Sequence, residues 1–119
     1  MNKSRYFLYT AQDLWSNGDY TNAISRIYYA VLHSMCDVLS IRFNREIQPH
    51  HKEVRRRFVQ TFPNFNELAL IEMQKVRENV DYQRNYSLQL LDGDILIRHY
   101  ESMIALVSQI SQICSDLVG

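Results

Sequence analysis

Residues 96–117 read LIRHYESMIALVSQISQICSDL, and the apolar positions in this stretch decide the fold class. Successive apolar residues are spaced 4, 3, 4, 3, 4 and 3 positions apart, at Leu96, Tyr100, Met103, Val107, Ile110, Cys114 and Leu117. This spacing places all of them on one face of an α-helix. Ile95, Ile97, Ile104 and Leu106 widen that face. We therefore expect a helix buried on more than one side, either as the central helix of a bundle or as part of a dimer seam.

Shorter apolar stripes with the same period predict four more helices upstream. Their apolar positions are Phe7, Ala11, Leu14 and Trp15; Ile24, Ile27, Tyr28, Val31, Met35 and Val38; Val54, Phe58 and Phe62; and Ala69, Met73, Val76 and Val80. Gly18, Pro49, Pro63 and Gly93 separate the stripes, and no run alternates as a strand would. The 119 residues are thus predicted to form one all-α domain over 1–119, a five-helix antiparallel bundle-like fold.

The composition excludes several classes of function. Lys and Arg number 13, as do Asp and Glu, so the chain does not coat nucleic acid by bulk charge. Its apolar runs are too short to cross a membrane, and the first residues lack the apolar core of a signal peptide, so we expect a cytoplasmic protein. The two cysteines and four histidines lack zinc-site spacing, and no glycine-rich phosphate loop is present. Neither a metal nor a cofactor is predicted.

The basic residues nevertheless concentrate locally, in the segment 41–57. This segment holds six Lys or Arg residues against two Glu residues. The candidate basic patch within it is His51, Lys52, Arg55, Arg56 and Arg57. Such a patch is either a solvated helix face or a surface for phosphate, RNA or an acidic partner.

Helix two carries a polar stripe opposite its apolar one. Arg26, Tyr29, His33 and Asp37 are spaced 3, 4 and 4 positions apart and share one face. His33 and Asp37 lie one turn apart, so we expect a hydrogen bond that raises the imidazole pKa where both are sheltered. Arg26, Tyr29 and His33 are therefore candidate ligand-binding residues, with a structural polar network as the alternative.

The end of helix four is also densely polar. Arg77 and Asp81 are one turn apart, close enough for an intrahelical ion pair, and Tyr82 follows directly. These three residues are the second group of candidate ligand-binding residues. The alternative is an ordinary capped and fraying helix end.

Three motifs, in the same order along the chain, resemble those of the HEPN domain family. Residues 18–33 read GDYTNAISRIYYAVLH, which contains the Arg-x-Tyr-Tyr-Ala segment and nearby His of one HEPN subgroup. His51-Lys52-x-Val54 is similar to the His-Lys segment of that subgroup, and Arg77-x-x-x-Asp81-Tyr82 matches its Arg-x-x-x-Asp-Tyr motif. The resemblance covers residues 14–86, and the last helix matches only in length and apolarity.

This resemblance implies a helical bundle that forms a homodimer and acts as a nucleotide-binding, RNA-binding or partner-binding module. It also implies one half of a toxin–antitoxin or defence system, paired with a minimal nucleotidyltransferase. The ribonuclease branch of the family uses an Arg and a following His with four to six residues between them. Counted from Arg77, this spacing falls on residues 82–84, which are Tyr, Gln and Arg and include no His. Tyr and Arg transfer protons poorly near neutral pH. Arg26 and His33 have this spacing, with six residues between them. Both belong to the Tyr-Tyr-Ala segment of helix two, so we interpret their spacing as coincidental.

The departure from the nuclease motif leaves two alternatives to the binding module. One is a metal-independent ribonuclease toxin. The other is a homodimeric helical scaffold without a ligand, in which the basic patch is simply solvated. Whether the chain is an enzyme therefore stays open at the level of sequence.

Overall fold

The computed structural model describes residues 2–82 and 93–119. Within these ranges the chain forms five helices and no strand, which confirms the all-α prediction. The helices are α1 (Lys3–Ser16), α2 (Tyr20–Phe43), α3 (His51–Thr61), α4 (Glu67–Tyr82) and α5 (Gly93–Val118). None of the helices in the described ranges combines the length and apolarity that crossing a membrane requires.

The helix ends lie where the sequence predicts them. Gly18 has a φ of 82°, a left-handed conformation that glycine adopts without strain, and the Asp19 amide donates to the Leu14 carbonyl at 2.9 Å. Asp19 occupies the N-cap position of α2, although its side chain makes no capping hydrogen bond. At the other end of α2, Asn44 has a φ of 53° and turns the chain toward α3.

The central helix is α2, which packs against each of the other four helices. The alternative that placed α5 at the centre is therefore wrong. Small buried residues on α2, including Ala23, Ala30 and Ser34, lie between its large apolar residues and let neighbouring helices approach from several sides. In α5 the residues Leu96, Met103 and Ile110 are fully buried. A dimer seam on α5 stays a prediction.

Helices α1 and α2 form an antiparallel hairpin, because the start of α1 meets the end of α2. The Ser4 hydroxyl donates to Asp37 at 3.1 Å, and at the other end Trp15 packs edge-on against Tyr20 with ring centroids 4.5 Å apart. Tyr100 near the start of α5 stacks on Trp15, with centroids 4.1 Å apart. The last turns of α5 line a cavity with Asp37. Thus α5 runs parallel to α2 and antiparallel to α1. The predicted antiparallel arrangement is found between the two helices of this hairpin.

Helices α3 and α4 form a second antiparallel hairpin. Arg55 donates to Gln74 at 2.8 Å, and the rings of Phe58 and Phe65 lie 4.8 Å apart where the chain turns between the two helices. All five helices contribute residues to a single buried core. This arrangement places the first residue of α3 beside the last two turns of α4, against the middle of α2.

Candidate functional site

Arg77 on α4 is a charged residue in the interior, with 5% of its surface exposed. Its guanidinium carbon lies 5.3 Å from the ring centroid of Tyr28 and 5.6 Å from that of Tyr29, both on α2. On α4 itself, Asp81 is 3.3 Å and Glu78 is 3.7 Å from the guanidinium. The predicted Arg77–Asp81 pair is therefore formed. The charge of Arg77 is stabilised by aromatic faces as well as by two carboxylates.

His51, the first residue of α3, joins this group through Tyr28. The Tyr28 hydroxyl lies 2.7 Å from Nδ1 of His51, and the two ring planes are parallel within 1°. Burial raises the pKa of Tyr28 to about 12, against the opposing effect of Arg77. Burial and the positive charge of Arg77 lower the pKa of His51. The pair therefore consists of a protonated phenol and an imidazole whose neutral form is favoured.

A series of side-chain hydrogen bonds connects α3 to α4 next to Arg77. Arg55 on α3 donates to the Gln74 side-chain oxygen at 2.8 Å, and Gln74 donates to Glu78 at 3.1 Å. Arg55 also lies 3.6 Å from Glu67, and 12% of its side chain is exposed. The polar contacts between α3 and α4 are thus continuous from Arg55 to Glu78, which in turn pairs with Arg77.

These residues together form what we call the Arg77 cluster. Its members are Tyr28, Tyr29, His51, Arg55, Gln74, Arg77, Glu78 and Asp81. The cluster brings together side chains from the Arg-x-Tyr-Tyr-Ala segment, the His-Lys segment and the Arg-x-x-x-Asp segment, which are far apart in the sequence. Its positive charges are balanced by carboxylates, so a phosphate entering it would meet two negative groups beside Arg77.

An aromatic extension links the cluster to α1. Phe7 stacks on His33 with ring centroids 5.3 Å apart and contacts Tyr29 at 5.6 Å. Asp37 raises the His33 pKa as expected, but the net shift of that pKa is downward. Burial lowers that pKa, Lys3 lowers it further, and Asp37 opposes the change only in part. The Asp37 carboxylate accepts a hydrogen bond from Ser4 instead, and burial raises its own pKa.

The two remaining ligand-binding candidates on these helices are Arg26 and Tyr82. Arg26, on the same stripe of α2 as Tyr29, is exposed to solvent. The side chain of Tyr82 lies outside the described residues, and so do Gln83 and Arg84, which entered the nuclease comparison. Of the six predicted ligand-binding residues, the described side chains of Tyr29, Arg77 and Asp81 are in direct contact within the cluster, and His33 is connected through Phe7.

The predicted basic patch is divided between two faces of α3. His51 and Arg55 are one turn apart and face α2 and α4, where they belong to the Arg77 cluster. Lys52 and Arg56, also one turn apart, lie about 100° further around the helix and are exposed, and Arg57 is half-buried beside them. The basic patch is divided because successive residues of a helix point in different directions, so a run of basic residues cannot lie on one face.

The exposed part continues onto the end of α2. We call it the outer basic surface, and its basic members are Arg42, Arg45, Lys52, Arg56 and Arg57. A groove of about 210 Å³ lies between α3 and the segment after α2, and a second, shallower one of about 520 Å³ lies along α3. Both grooves are lined by His50, Glu53 and Arg57. The surface therefore offers a continuous track with an excess of positive charge.

Sequence reasoning missed Phe43 on this surface and Tyr28, Gln74 and Glu78 in the cluster. Phe43 ends α2, and both Arg42 and Arg57 approach its ring, with guanidinium carbons 5.7 and 5.9 Å from the centroid. The Arg42-Phe43 dipeptide, with Arg45 beyond it, was the available signal. Tyr28 lies on the apolar stripe of α2, so its hydroxyl could not be distinguished from that of an ordinary core tyrosine.

No protein-family model, curated protein or solved structure matches this chain. Within residues 2–82 and 93–119, no three His, Cys, Asp or Glu side chains are grouped to hold a metal ion. The Arg77 cluster and the outer basic surface are the two candidate sites of the described residues.

Proposed function

We propose that this chain is a HEPN-like module that binds nucleotide or RNA phosphates on the outer basic surface. In this proposal the Arg77 cluster holds α2, α3 and α4 in position behind that surface. The observation that carries it is the division of α3. His51 and Arg55 are engaged inside the cluster, whereas Lys52 and Arg56 face solvent one position further along the helix.

The distribution of charge supports binding at the outer basic surface rather than at Arg77. Arg77 is already paired with Asp81 and Glu78, and its side chain is buried. The outer basic surface carries five Lys or Arg side chains, and its acidic neighbours are Glu46 and Glu53. Arg is also well suited to phosphate, because its planar guanidinium can donate two parallel hydrogen bonds.

The contact of the three motif segments supports the HEPN resemblance. Residues from α2, α3 and α4 that carry the motifs touch one another around a single arginine. With the family resemblance come further proposals: a homodimer, a cytoplasmic location, and a minimal nucleotidyltransferase as the partner in a toxin–antitoxin or defence system. Such a partner would compete with RNA if it used the same basic surface.

One observation favours the ribonuclease alternative. No His follows Arg77 at nuclease spacing, but His51 on α3 contacts Tyr28, whose ring lies against Arg77, and His51 is half-exposed there. Its lowered pKa keeps the imidazole neutral near pH 7, the form in which a ring nitrogen can accept a proton. Cleavage of RNA in the presence of EDTA that is lost in His51→Ala would establish this activity.

The binding proposal is tested by a pair of matched double variants. Lys52→Gln/Arg56→Gln removes two positive charges from the outer basic surface, and Arg5→Gln/Arg98→Gln removes two exposed charges elsewhere. For fluorescently labelled RNA we expect weaker binding by the first variant only. The slope of log affinity against log salt should fall by about 1.4, since each phosphate contact on a single strand contributes about 0.7. Equal affinities for the two variants would contradict the proposal.

A further inference from the structure

We infer that the end of α2 is a base-stacking site for single-stranded nucleic acid, built from Phe43 with Arg42 and Arg57. The inference rests on the proposed function and adds the strandedness of the ligand and the residue that selects it. The juxtaposition that carries it is a half-exposed aromatic ring approached by two guanidinium groups from different helices.

The position of Phe43 is fixed by the backbone. It is the last residue of α2, and the left-handed Asn44 turns the chain immediately after it. Phe43 thus lies at the C-terminal end of α2, with 43% of its surface exposed. Arg57 reaches the ring from α3, so the arrangement is tertiary and does not follow from the Arg42-Phe43 sequence alone.

Stability of the fold does not account for this arrangement. The aromatic residue that fills the core near α3 is Phe58, which is fully buried. Phe43 leaves much of its apolar surface in water, so it contributes correspondingly less to folding. In addition, the like-charged guanidinium groups of Arg42 and Arg57 both lie near this one ring.

The chemistry of the site matches an unpaired nucleotide. A base presents a flat π-face that stacks on aromatic rings and on guanidinium planes, and its phosphates are attracted to the same arginines. In a duplex the base faces are covered by neighbouring base pairs, so Phe43 would have no surface to stack on. A single strand is therefore the ligand that uses both the ring and the charges.

A groove that shares Arg57 with the Phe43 site gives the strand a path. Its basic lining residues are Arg45, His50 and Arg57, it is also lined by Glu46 and Glu53, and its volume is about 210 Å³. This is below the range of about 300–1,000 Å³ found for pockets that enclose a small-molecule ligand. The groove is thus suited to a piece of extended chain rather than to an entire free ligand.

The test uses the full-length protein and a labelled oligouridylate of about twelve nucleotides, a length within the range of sites on single-strand-binding folds. A labelled RNA duplex of similar length serves as the second probe. We expect the wild type to prefer the single strand. Phe43→Leu keeps an apolar side chain without a ring and should weaken single-strand binding about tenfold, whereas Phe43→Trp should retain it.

The salt dependence separates stacking from charge. Phe43→Leu should leave the slope of log affinity against log salt unchanged, because no phosphate contact is lost, while Arg57→Gln should lower that slope. Leu68→Ala is the matched control, since Leu68 is another exposed apolar residue and lies on α4. Thermal melting of each variant confirms that it is folded under the assay conditions.

The outcomes distinguish this inference from the proposed function. If the wild type binds neither probe, the proposed function fails and the inference fails with it. If the Lys52→Gln/Arg56→Gln variant loses RNA but Phe43→Leu binds as the wild type does, the function stands and the stacking site is overturned. Equal binding of duplex and single strand also overturns it. The stacking site is also overturned if Phe43→Leu loses affinity for polyglutamate as much as for single-stranded RNA. That result would indicate a surface for acidic proteins.

Discussion

The Tyr28 hydroxyl and Nδ1 of His51 lie 2.7 Å apart, and this contact joins the middle of α2 to the first residue of α3. Tyr28 is otherwise a core residue, with Arg77 against its ring. The hydrogen bond therefore gives a buried polar atom its partner, and at the same time it fixes where α3 begins relative to α2.

Replacing Tyr28 by Phe tests the contribution of this hydrogen bond. The change removes the hydroxyl and keeps the ring that contacts Arg77. We expect the free energy of unfolding to fall by about 0.5–1.5 kcal/mol, the net value of a typical hydrogen bond. The measurement is urea unfolding, with Tyr9→Phe as the control because Tyr9 is exposed on α1. Equal stabilities of the two variants would show that the contact contributes nothing.

The sequence predicted the helices and the Arg77–Asp81 pair because both follow from local spacing. An apolar stripe of period 3.6 identifies a helix and its buried face, and an i,i+4 pair lies within one helix. The position of α2 at the centre could not be predicted in the same way. Periodicity shows that a face is buried, but it does not show which helix covers that face.

The same limit explains the division of the basic patch. His51, Lys52, Arg55 and Arg56 are close in sequence, and their composition alone indicates a basic surface. Their alternate placement depends on where Tyr28 and Gln74 lie, which is a matter of packing between helices.

Stability should depend on pH through His51. Burial and Arg77 lower its folded-state pKa below the ordinary value of 6.5, so the folded protein binds fewer protons than the unfolded chain in the interval between the two values. Its contribution to stability is therefore complete above about pH 6.5 and is lost as the pH falls through the folded-state pKa. His33 acts in the same direction. Asp37 acts in the opposite direction, because its pKa is raised and its contribution is lost as the pH rises.

The measurement is the melting temperature between about pH 8 and about pH 5, an interval that includes the ordinary His pKa of about 6.5. We expect the wild-type value to fall toward the acid end and the fall to be smaller in His51→Gln. His50→Gln is the control, since His50 precedes α3, is exposed and makes no side-chain capping hydrogen bond. A pH profile of His51→Gln identical to that of the wild type would assign the dependence to other groups.

The exposed apolar residues of α5 bear on the proposed homodimer. Ile95 and Ile97, in the first turns of α5, are both exposed in the single chain. We expect light scattering to give the mass of a dimer at micromolar concentration, and Ile95→Glu/Ile97→Glu to give a monomer, because a buried unpaired charge opposes association. Tyr6→Glu, on an exposed position of α1, should remain dimeric. A monomeric wild type would remove the dimer from the proposal.

The last prediction concerns Arg77 and separates a structural role from direct binding. Arg77→Met keeps a long side chain and removes the charge, which leaves Asp81 and Glu78 without their shared partner. The cost of stranding a buried charge does not apply here, because the side chains of Asp81 and Glu78 are 25% and 44% exposed and keep contact with water. We expect a loss of about 1–2 kcal/mol, from the ion pairs and from the contacts of the guanidinium with the rings of Tyr28 and Tyr29.

Asp81→Asn is the matched variant, because it removes the charge of the more buried carboxylate and leaves Arg77 paired with Glu78. We expect it to lower the free energy of unfolding by less than about 1 kcal/mol, as is found for pairs that contact solvent. At a temperature where both variants are folded, both should bind RNA as the wild type does, since the outer basic surface is unchanged. If Arg77→Met is instead as stable as the wild type and has lost RNA binding, Arg77 contacts the ligand directly. The division between a structural cluster and an outer binding surface would then be wrong.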